Sequence, residues 1–473
     1  MEIHWMILVT DGLTYILLGL AGITFFYMQR HPHWRTLWEQ LLQKRSAMIT
    51  MVIISFYVGV GLLDSIHFQV TQKIEHHTVS RVVSVLDMLA YPMSERDEQT
   101  YSAPFSLYSY HPMTMVLPDG KETRIYPRLQ HAGKHLVHPE DRSKDIVYRV
   151  LWGIGVGSVS FMLIAAFGLW CLSWHYRCRW HVYSRQVLRG ETEAAWRAAL
   201  ITGGIIWIFV WIMIFLFCAY HILGTDQVGE DVFYEAIKSI RTGLLIGTLT
   251  TLFLLPFALF LGTLAGYWSG WVDDIIQYFY TVLSSIPAVL LIAASVLVLQ
   301  VYITSHPSIF PTLIERADAR LLALCIILGV TGWATLCRLL RGETLKIREQ
   351  EFVQAAQVMR IKHFKIILRH IVPNVMHILL ITLVLNFSEL VLAEAVLSYI
   401  GVGVDPTTPS WGNMINGARM QLSREPIVWW PLLAALIFMF VLVLAANVLS
   451  DAVRDVLDPR LREMKGRTPE HQV

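Results

Sequence analysis

Long runs of apolar residues recur along this chain of 473 residues and constrain its fold more than any other feature. A helix of about 20 apolar residues crosses the roughly 30 Å hydrocarbon core of a bilayer. Hydrophobic residues make up 55% of the chain and charged residues only 16%, which excludes an ordinary soluble domain. We therefore expect an all-α polytopic membrane protein with nine spans, near 5–28, 47–66, 147–174, 200–222, 241–266, 275–301, 320–340, 376–400 and 428–450.

Charge and cysteine content exclude other classes of protein. The net charge of +2 is too small to indicate a nucleic-acid partner. The five cysteines lie in or beside apolar runs at spacings that fit no zinc site, so we expect no metal and no cofactor. Glu2 and His4 stand where a signal peptide carries Lys or Arg, so the first apolar run is expected to be a retained span.

Basic residues in the short loops predict the orientation of the spans. They cluster in the loop after the first span, in the loop before the fourth and in the C-terminal tail. With nine spans these clusters fall on one side, which predicts an outer N-terminus and a cytoplasmic C-terminus. The chain is thus expected to lie in the bacterial cytoplasmic (inner) membrane, in contact with its lipids.

The segment 67–146 is the one sizeable extramembrane stretch, and we expect a small external domain of mixed or β-containing structure there. Asp119 and Gly120 predict the turn of a β-hairpin. His131 and His135 have the i, i+4 spacing of metal ligands, although Gly133 weakens the helix that this spacing needs. Surface histidines in a hydrated loop remain the alternative.

A faint internal repeat relates two segments of the chain. Residues 135–154 align without gaps to residues 221–240, and each segment precedes or opens a span. The identical pairs are His135 with His221, Asp145 with Asp231, Tyr148 with Tyr234 and Ile154 with Ile240. This indicates either a duplication or a local mimicry of one segment by the other.

A basic segment between two spans, Glu351–Asn374, has no apolar run long enough to cross a bilayer. The spacing of Phe352, Ala355, Ala356 and Met359 predicts an amphipathic helix with a shallow patch at the two alanines. A second short helix, His363–Ile371, is expected before Pro373 starts the next span. A rigid helix pair of this kind suits either a docked partner or a position on anionic lipid.

The residues Glu351, Phe352, Val353, Ala355, Ala356, Arg369, His370, Pro373 and Asn374 resemble the cytoplasmic coupling loop of ABC importer permeases, in the dipeptide, oligopeptide and nickel subfamily. Further family-like motifs follow the family order: GTDQVGEDVF (224–233), LAGYWSGWVDDII (264–276), LAEAVLSYIGVGVDPTTPSWG (392–412) and DPRL (458–461). The resemblance implies a six-span permease core of the second, C-type subunit over 200–473, with its coupling loop at about 341–374. Residues 1–199 are then an additional three-span module.

The resemblance also implies roles for particular residues. ATPase coupling falls to Glu351, Phe352, Ala355, Ala356, Met359, Arg360 and Pro373. An external motif comprises Gly224, Thr225, Asp226, Asp231 and Trp411, and Thr225 or Asp226 is expected to cap a short helix. Glu389 and Glu394 are acids at membrane depth, and their position itself suits a pathway or gate, with interhelical hydrogen bonding as the alternative for Glu394. Glu394 belongs to the family-like LAEA string, whereas Glu389 departs from the family pattern.

Arg360 departs from the family pattern, which has glycine at this position. Either the backbone adopts a left-handed turn at Arg360, or the first helix continues through it and presents its guanidinium to a partner. Glu230 also stands where the family usually has arginine.

No phosphate-binding loop occurs in the sequence, so ATP hydrolysis is assigned to other chains and an enzyme is not expected. The resemblance implies a homologous permease subunit, two ABC ATPase subunits, an extracytoplasmic solute-binding protein and a peptide as cargo. The alternatives are a nickel or metal-chelate importer and, from another class, a receptor or scaffold that has lost transport.

Overall fold

A computed structural model of the protein describes residues 2–30, 32–74, 77–90, 98–116, 122–175 and 177–457. In these ranges eight helices are long and apolar enough to cross a membrane, and the apolar helix Val9–Thr24 is shorter. The prediction of an all-α polytopic membrane protein is confirmed. The DPRL motif and most of the basic tail lie outside the described residues.

Helices in the described ranges are α1 (Val9–Arg30), α2 (Pro32–Gln43), α3 (Arg45–Asp64), α4 (Val85–Leu89), α5 (Arg142–His175), α6 (Trp180–Arg189), α7 (Trp196–Phe217), α8 (Val232–Tyr267), α9 (Trp271–Ser285), α10 (Ala288–Ser305), α11 (Leu313–Arg348), α12 (Glu351–Val358), α13 (His363–Ile366), α14 (Val372–Tyr399), α15 (Trp411–Gln421) and α16 (Trp430–Leu457). The strands are β1 (Glu2–Met6), β2 (His67–Ile74), β3 (His77–Ser84), β4 (Met113–Val116) and β5 (Glu122–Ile125).

The helices and strands form two compact units. The first unit comprises Met1–Met6, His31–Arg241 and Pro409–Ala445. In this unit α7 packs against both α3 and α5. A Cβ atom added to Gly153 of α5 would lie 2.7 Å from the Cα atom of Ile212 in α7. Glycine at this position therefore lets the two helix backbones approach closely.

The extramembrane part of the first unit contains the strands. β1, β2 and β3 form an antiparallel sheet in that order, with Met6 opposite His67 and His67 opposite Ser84. The first predicted span was wrong at its start, because residues up to Met6 extend along β2 and the helix begins at Val9. β4 and β5 form the predicted hairpin, and its turn at 119–120 lies outside the described residues.

The second unit comprises Ile7–Arg30, Thr242–Thr408 and Ala446–Val473. One apolar cluster joins α8 and α11 to the segment 353–375, and another joins α8, α10, α11 and α14. Gly262 and Gly266 face α11 so closely that added Cβ atoms would lie 2.8 Å from the carbonyl oxygen of Cys337 and 2.7 Å from that of Arg341. These contacts set the spacing of α8 and α11.

The predicted span 275–301 was wrong in one respect, because the structure divides it into α9 and α10. Ile286 is extended, and Pro287 precedes the first residue of α10. Proline disfavours a helical conformation in the residue before it and has no N–H to donate, so the helix ends there. Only Ala288–Ser305 has the length and composition of a span in this region.

The compact units do not follow the predicted boundary between 1–199 and 200–473. The helix α1 belongs to the second unit, and residues up to Arg241 belong to the first. The predicted boundary marks where the family resemblance begins, and it stays a prediction.

Candidate functional site

The amphipathic helix predicted in the basic segment is α12, which is separate from α11. Val353 and Ala356 point inward and join the apolar cluster that contains Ile366, Ile367 and Ile371. The outer positions of the helix are Glu351, Phe352, Ala355 and Met359, and Met359 is 75% exposed. The predicted apolar stripe is therefore divided: Ala356 fixes α12 to its own chain, whereas Phe352, Ala355 and Met359 face outward.

Arg360 ends this helix in the left-handed conformation, with φ of 54°. The amide of Arg360 donates to the carbonyl of Gln357 (2.9 Å), and the amide of Ile361 donates to that of Ala356 (3.2 Å). This pair of bonds is the Schellman termination, which usually has glycine at the position of Arg360. The alternative in which the helix continues through Arg360 is wrong, and the backbone bears a cost of about 1–2 kcal/mol.

The second helix of the segment is longer than predicted. It begins at His363, passes through a π-helical turn at Ile367–Ile371 and continues directly into α14. Pro373 is the second residue of α14 and follows the π-helical turn directly, so its missing N–H leaves one hydrogen bond of the continuous helix unmade. The Tyr267 hydroxyl lies 2.7 Å from Nδ1 of His363, which ties the start of this helix to the end of α8.

A groove of about 770 Å³ opens between α10, α11 and α14. Its wall carries Arg338, Glu343, Lys346 and Glu389 among threonine, asparagine and apolar side chains. Glu389 is exposed there. Glu394 lies elsewhere: it is only 2% exposed, and it accepts a hydrogen bond from the Ser398 hydroxyl at 2.7 Å. The two acids predicted for one pathway are thus in different surroundings.

The external motif is held against residues 98–110 of the first unit. Thr225 is fully buried, and its hydroxyl accepts a hydrogen bond from the Ser102 amide (2.7 Å) and donates one to the Thr100 carbonyl (2.9 Å). Gly224 has φ of 71°, and an added Cβ atom would lie 2.2 Å from the carbonyl oxygen of Ser102. Only glycine fits this conformation and this approach.

The two aspartates of the motif accept hydrogen bonds from backbone amides. Oδ1 of Asp226 accepts hydrogen bonds from the amides of Val228, Gly229 and Glu230 at 2.8–2.9 Å, which closes a turn. Oδ1 of Asp231 accepts from the amides of Phe233 (2.9 Å) and Tyr234 (3.1 Å) at the start of α8. The predicted helix cap at Thr225 or Asp226 was therefore wrong, and Asp231 is the cap.

Asp231 also belongs to a buried charge cluster. Its Oδ2 lies 2.6 Å from Nδ1 of His221, and Nε2 of His221 lies 3.6 Å from Oε1 of Glu98. The Glu98 carboxylate accepts hydrogen bonds from the amides of Gln130 (2.9 Å) and His131 (2.8 Å). Sequence reasoning missed Glu98 because nothing local marks it, whereas the repeat contained a signal for His221 in its pairing with Asp231.

Opposite charges determine the protonation of this cluster. Burial alone would lower the pKa of His221, but Asp231 and Glu98 outweigh it and raise this pKa to about 9. Burial alone would raise the pKa of Glu98, yet His221 and three backbone amides lower it to about 2. At neutral pH the cluster is a buried imidazolium between two carboxylates.

Trp411 is buried at the start of α15, where its indole N–H donates to the carbonyl of Ala236 at 3.0 Å. Trp430 donates in the same way to the carbonyl of Thr225 at 3.0 Å. Both tryptophans therefore fix the external motif and the start of α8 from the C-terminal part of the first unit.

The first copy of the internal repeat contains the same kind of pair as the second. Nε2 of His135 lies 2.9 Å from Oδ2 of Asp145, so this histidine has a carboxylate partner. Within the described residues, no three or more His, Cys, Asp or Glu side chains are grouped so that they form a metal site. The metal alternative for His131 and His135 has no support from these residues.

These features define a multi-span helical membrane protein with a compact helix pair outside its spans. A mostly apolar groove with charged side chains on its wall opens between α10, α11 and α14. A model of the family "Binding-protein-dependent transport system inner membrane component" matches residues 258–463. The chain is 31% identical to the oligopeptide transport system permease protein OppC of Mycobacterium bovis over 245 residues, which cover 52% of this chain and 78% of the relative.

Two proteins of Bacillus subtilis agree with this match. OppC is 30% identical over 51% of this chain and 73% of its own length, and the dipeptide transport system permease protein DppC is 32% identical over 52% and 70%. The chain therefore belongs to the family of binding-protein-dependent transport system inner membrane components, the permeases of ABC importers. It is a multi-pass inner-membrane transport subunit and not an enzyme.

Proposed function

We propose that this chain is the permease subunit of an ATP-driven importer of dipeptides and oligopeptides. The oligopeptide and dipeptide transport permeases that it resembles support this cargo, and they do not favour the nickel or metal-chelate alternative. The observation that carries the proposal is the coupling segment, because a receptor or scaffold without transport has no need of it. In this segment a short helix is fixed rigidly to two spans and keeps its outer face free.

The outer face of α12 is the proposed ATPase contact. Phe352 and Met359 are exposed apolar side chains on either side of Ala355, and the small alanine leaves room for a partner to approach. Ala356 supports this face from within, Arg360 fixes the turn that follows it, and Pro373 lies exposed at the second position of α14. Glu351 lies in the first turn of α12, where an acid is favoured by the helix dipole.

The groove between α10, α11 and α14 is the proposed half of the translocation pathway, and a homologous permease supplies the other half. Glu389 lines this half. A wall with carboxylates, basic groups and amides suits a zwitterionic peptide, whose ends carry both charges. Glu394 contributes through the packing of α14, since it is buried within the chain.

The remaining partners follow from the orientation predicted by the basic loops, with the N-terminus outside and the C-terminus in the cytoplasm. Two ABC ATPase subunits bind the cytoplasmic side, one of them at α12. A solute-binding protein docks on the outer side, where the motif from Gly224 to Asp231, Trp411 and the external domain at 67–146 lie.

The test is peptide uptake into proteoliposomes that contain this chain, its partner permease and the ATPase subunits, with binding protein added outside. We expect ATP-dependent uptake of a labelled tripeptide and no uptake of nickel. Ala355→Trp should weaken ATPase association about 5- to 150-fold and lower uptake with it, because overpacking a close contact costs about 1–3 kcal/mol.

Gln354→Trp is the matched control, since Gln354 is also exposed but lies about 100° around the helix from Ala355. This variant should retain uptake. Normal coupling by Ala355→Trp in an intact complex contradicts the ATPase contact, and an assembled wild-type complex without ATP-dependent peptide uptake contradicts the proposed function.

A further inference from the structure

The loop between α8 and α9 belongs to the family-like motif LAGYWSGWVDDII, and the proposed function gives it no role. The structure shows that this loop and α9 are held by other elements of the second unit. Arg341 of α11 donates two hydrogen bonds to Asp273, from Nε to Oδ1 at 2.6 Å and from Nη2 to Oδ2 at 2.7 Å. A bidentate pair of this kind fixes both distance and orientation.

Asp273 is well placed to act as an anchor. It lies in the first turn of α9 and is only 7% exposed. The hydrogen bonds and charge of Arg341 lower the pKa of Asp273 below its usual range, so the pair is ionic at neutral pH. One turn away from Arg341, the guanidinium of Arg338 lies 5.0 Å from the ring centre of Tyr280 in α9.

The loop before α9 is also held at two points. Arg348, the last residue of α11, donates to the Ser269 hydroxyl at 2.7 Å. On the other side, the hydroxyl of Tyr267 lies 2.7 Å from Nδ1 of His363, which begins α13 directly after the Arg360 turn. The end of α8 and the loop that follows it are therefore attached to the last residue of α11 and to the first residue of α13.

The other end of α9 leads to the groove. Ile286 and Pro287 separate α9 from α10, so a displacement of α9 moves the start of α10 without bending a continuous helix. Ala288 and Ile292 of α10 line the groove. A continuous series of contacts thus runs from His363 and Arg341 through α9 to the groove wall.

We infer that α9 carries the movement of the coupling segment to the groove, and that Asp273 and Tyr267 are the positioning residues that attach it. This inference rests on the proposed function. Asp273 and Tyr267 touch neither cargo nor nucleotide; they keep α9 in a fixed relation to the helices on which an ATPase subunit would act. Without these attachments, ATP is hydrolysed but the groove does not change conformation with the coupling segment.

The experiment compares Asp273→Asn and Tyr267→Phe with wild type in the reconstituted transporter. It measures peptides transported per ATP, basal ATPase activity, subunit stoichiometry and melting temperature. Asp273→Asn should lower the number of peptides per ATP about tenfold. Tyr267→Phe, which removes one oxygen and keeps the packed ring, should lower it less. Basal ATPase and stoichiometry should stay at wild-type values, which a merely structural defect would not leave unchanged.

Asp274→Asn is the matched control, because Asp274 is the exposed neighbour of Asp273 in the same helical turn. It should transport as wild type does. If Asp273→Asn does not assemble, the number of peptides that Tyr267→Phe transports per ATP tests the inference. If every assembled variant transports as many peptides per ATP as wild type does, this inference is overturned and the proposed function is unaffected. A wild-type transporter without peptide uptake contradicts the proposed function.

Discussion

Two segments of the first unit share a residue pattern and differ in their surroundings. Residues 135–154 and 221–240 each contain a histidine and an aspartate ten positions apart, and in each the two side chains meet before or within the first turn of a long helix. The first pair is partly open, with 39% of the His135 side chain exposed. The second pair is closed, with 5% of the His221 side chain exposed.

The two aspartates also differ in their hydrogen-bond partners. Asp145 is shared: besides His135 it accepts hydrogen bonds from the Nε atom of Arg149 (2.8 Å) and the hydroxyl of Tyr220 (2.7 Å). Asp231 is buried with His221, and Glu98 lies on the other side of the imidazolium, where backbone amides also stabilise its carboxylate. A histidine–aspartate pair is therefore part of a partly exposed hydrogen-bond network in one copy and of a closed, buried cluster in the other. Whether the copies arose by duplication stays a prediction.

The largest expected effect comes from removing the charge of the buried aspartate. Asp231→Asn keeps an oxygen to cap α8 but leaves the buried imidazolium with one carboxylate, and removing one partner of a buried pair costs about 3–5 kcal/mol. Asp145→Asn should cost about 1 kcal/mol or less, because Asp145 is partly hydrated. The measurement is the melting temperature of the purified protein in detergent. Equal losses in the two variants contradict the distinction between the copies.

The second expected effect is a dependence on pH that originates in the closed copy. The pKa of His221 is raised from 6.5 to about 9, so its contribution to stability is complete below pH 6.5 and is lost as pH rises through about 9. The pKa of Glu98 is lowered from 4.5 to about 2, so its contribution is lost as pH falls through about 2. As the pH rises from 6 to 10, the melting temperature should fall for wild type and should fall less for His221→Gln. Parallel curves for the two proteins would show that His221 is not the titrating group.

The smallest expected effect concerns the histidine of the open copy. His135→Gln should change stability by only about 0.5 kcal/mol, because an exposed pair gains little over its hydrated partners. Asp145 keeps Arg149 and Tyr220 in this variant. A loss as large as that of His221→Gln, measured as melting temperature at pH 6, would remove the contrast between the copies.

The sequence predicted what depends on local pattern. Spans follow from apolar length, the hairpin of β4 and β5 follows from its turn residues, and the amphipathic helix α12 follows from residue spacing. The alternation of Glu2, Ile3, His4 and Trp5 also has the period of a strand. The long apolar run that follows masks this pattern.

Contacts between distant residues were not predictable in the same way. Glu98 meets His221 across a long stretch of sequence, and no nearby residue indicates that this carboxylate is buried. Burial also decided between positions that the pattern treats alike: Ala355 and Ala356 are adjacent, yet one faces outward and the other packs on Ile361 and its cluster. Such choices depend on tertiary packing, which periodicity alone does not determine.

Strand β1 has a consequence for the number of times the chain crosses the bilayer. β1 and β2 share hydrogen bonds, so Glu2–Met6 and His67–Ile74 lie on the same side of the membrane. An even number of crossings must therefore separate them, and α3, with 20 apolar-rich residues, accounts for one. The second must be α1, because α2 has only 12 residues and an amphipathic sequence. Parity thus identifies Val9–Thr24 as a crossing although its apolar helix is shorter than the others.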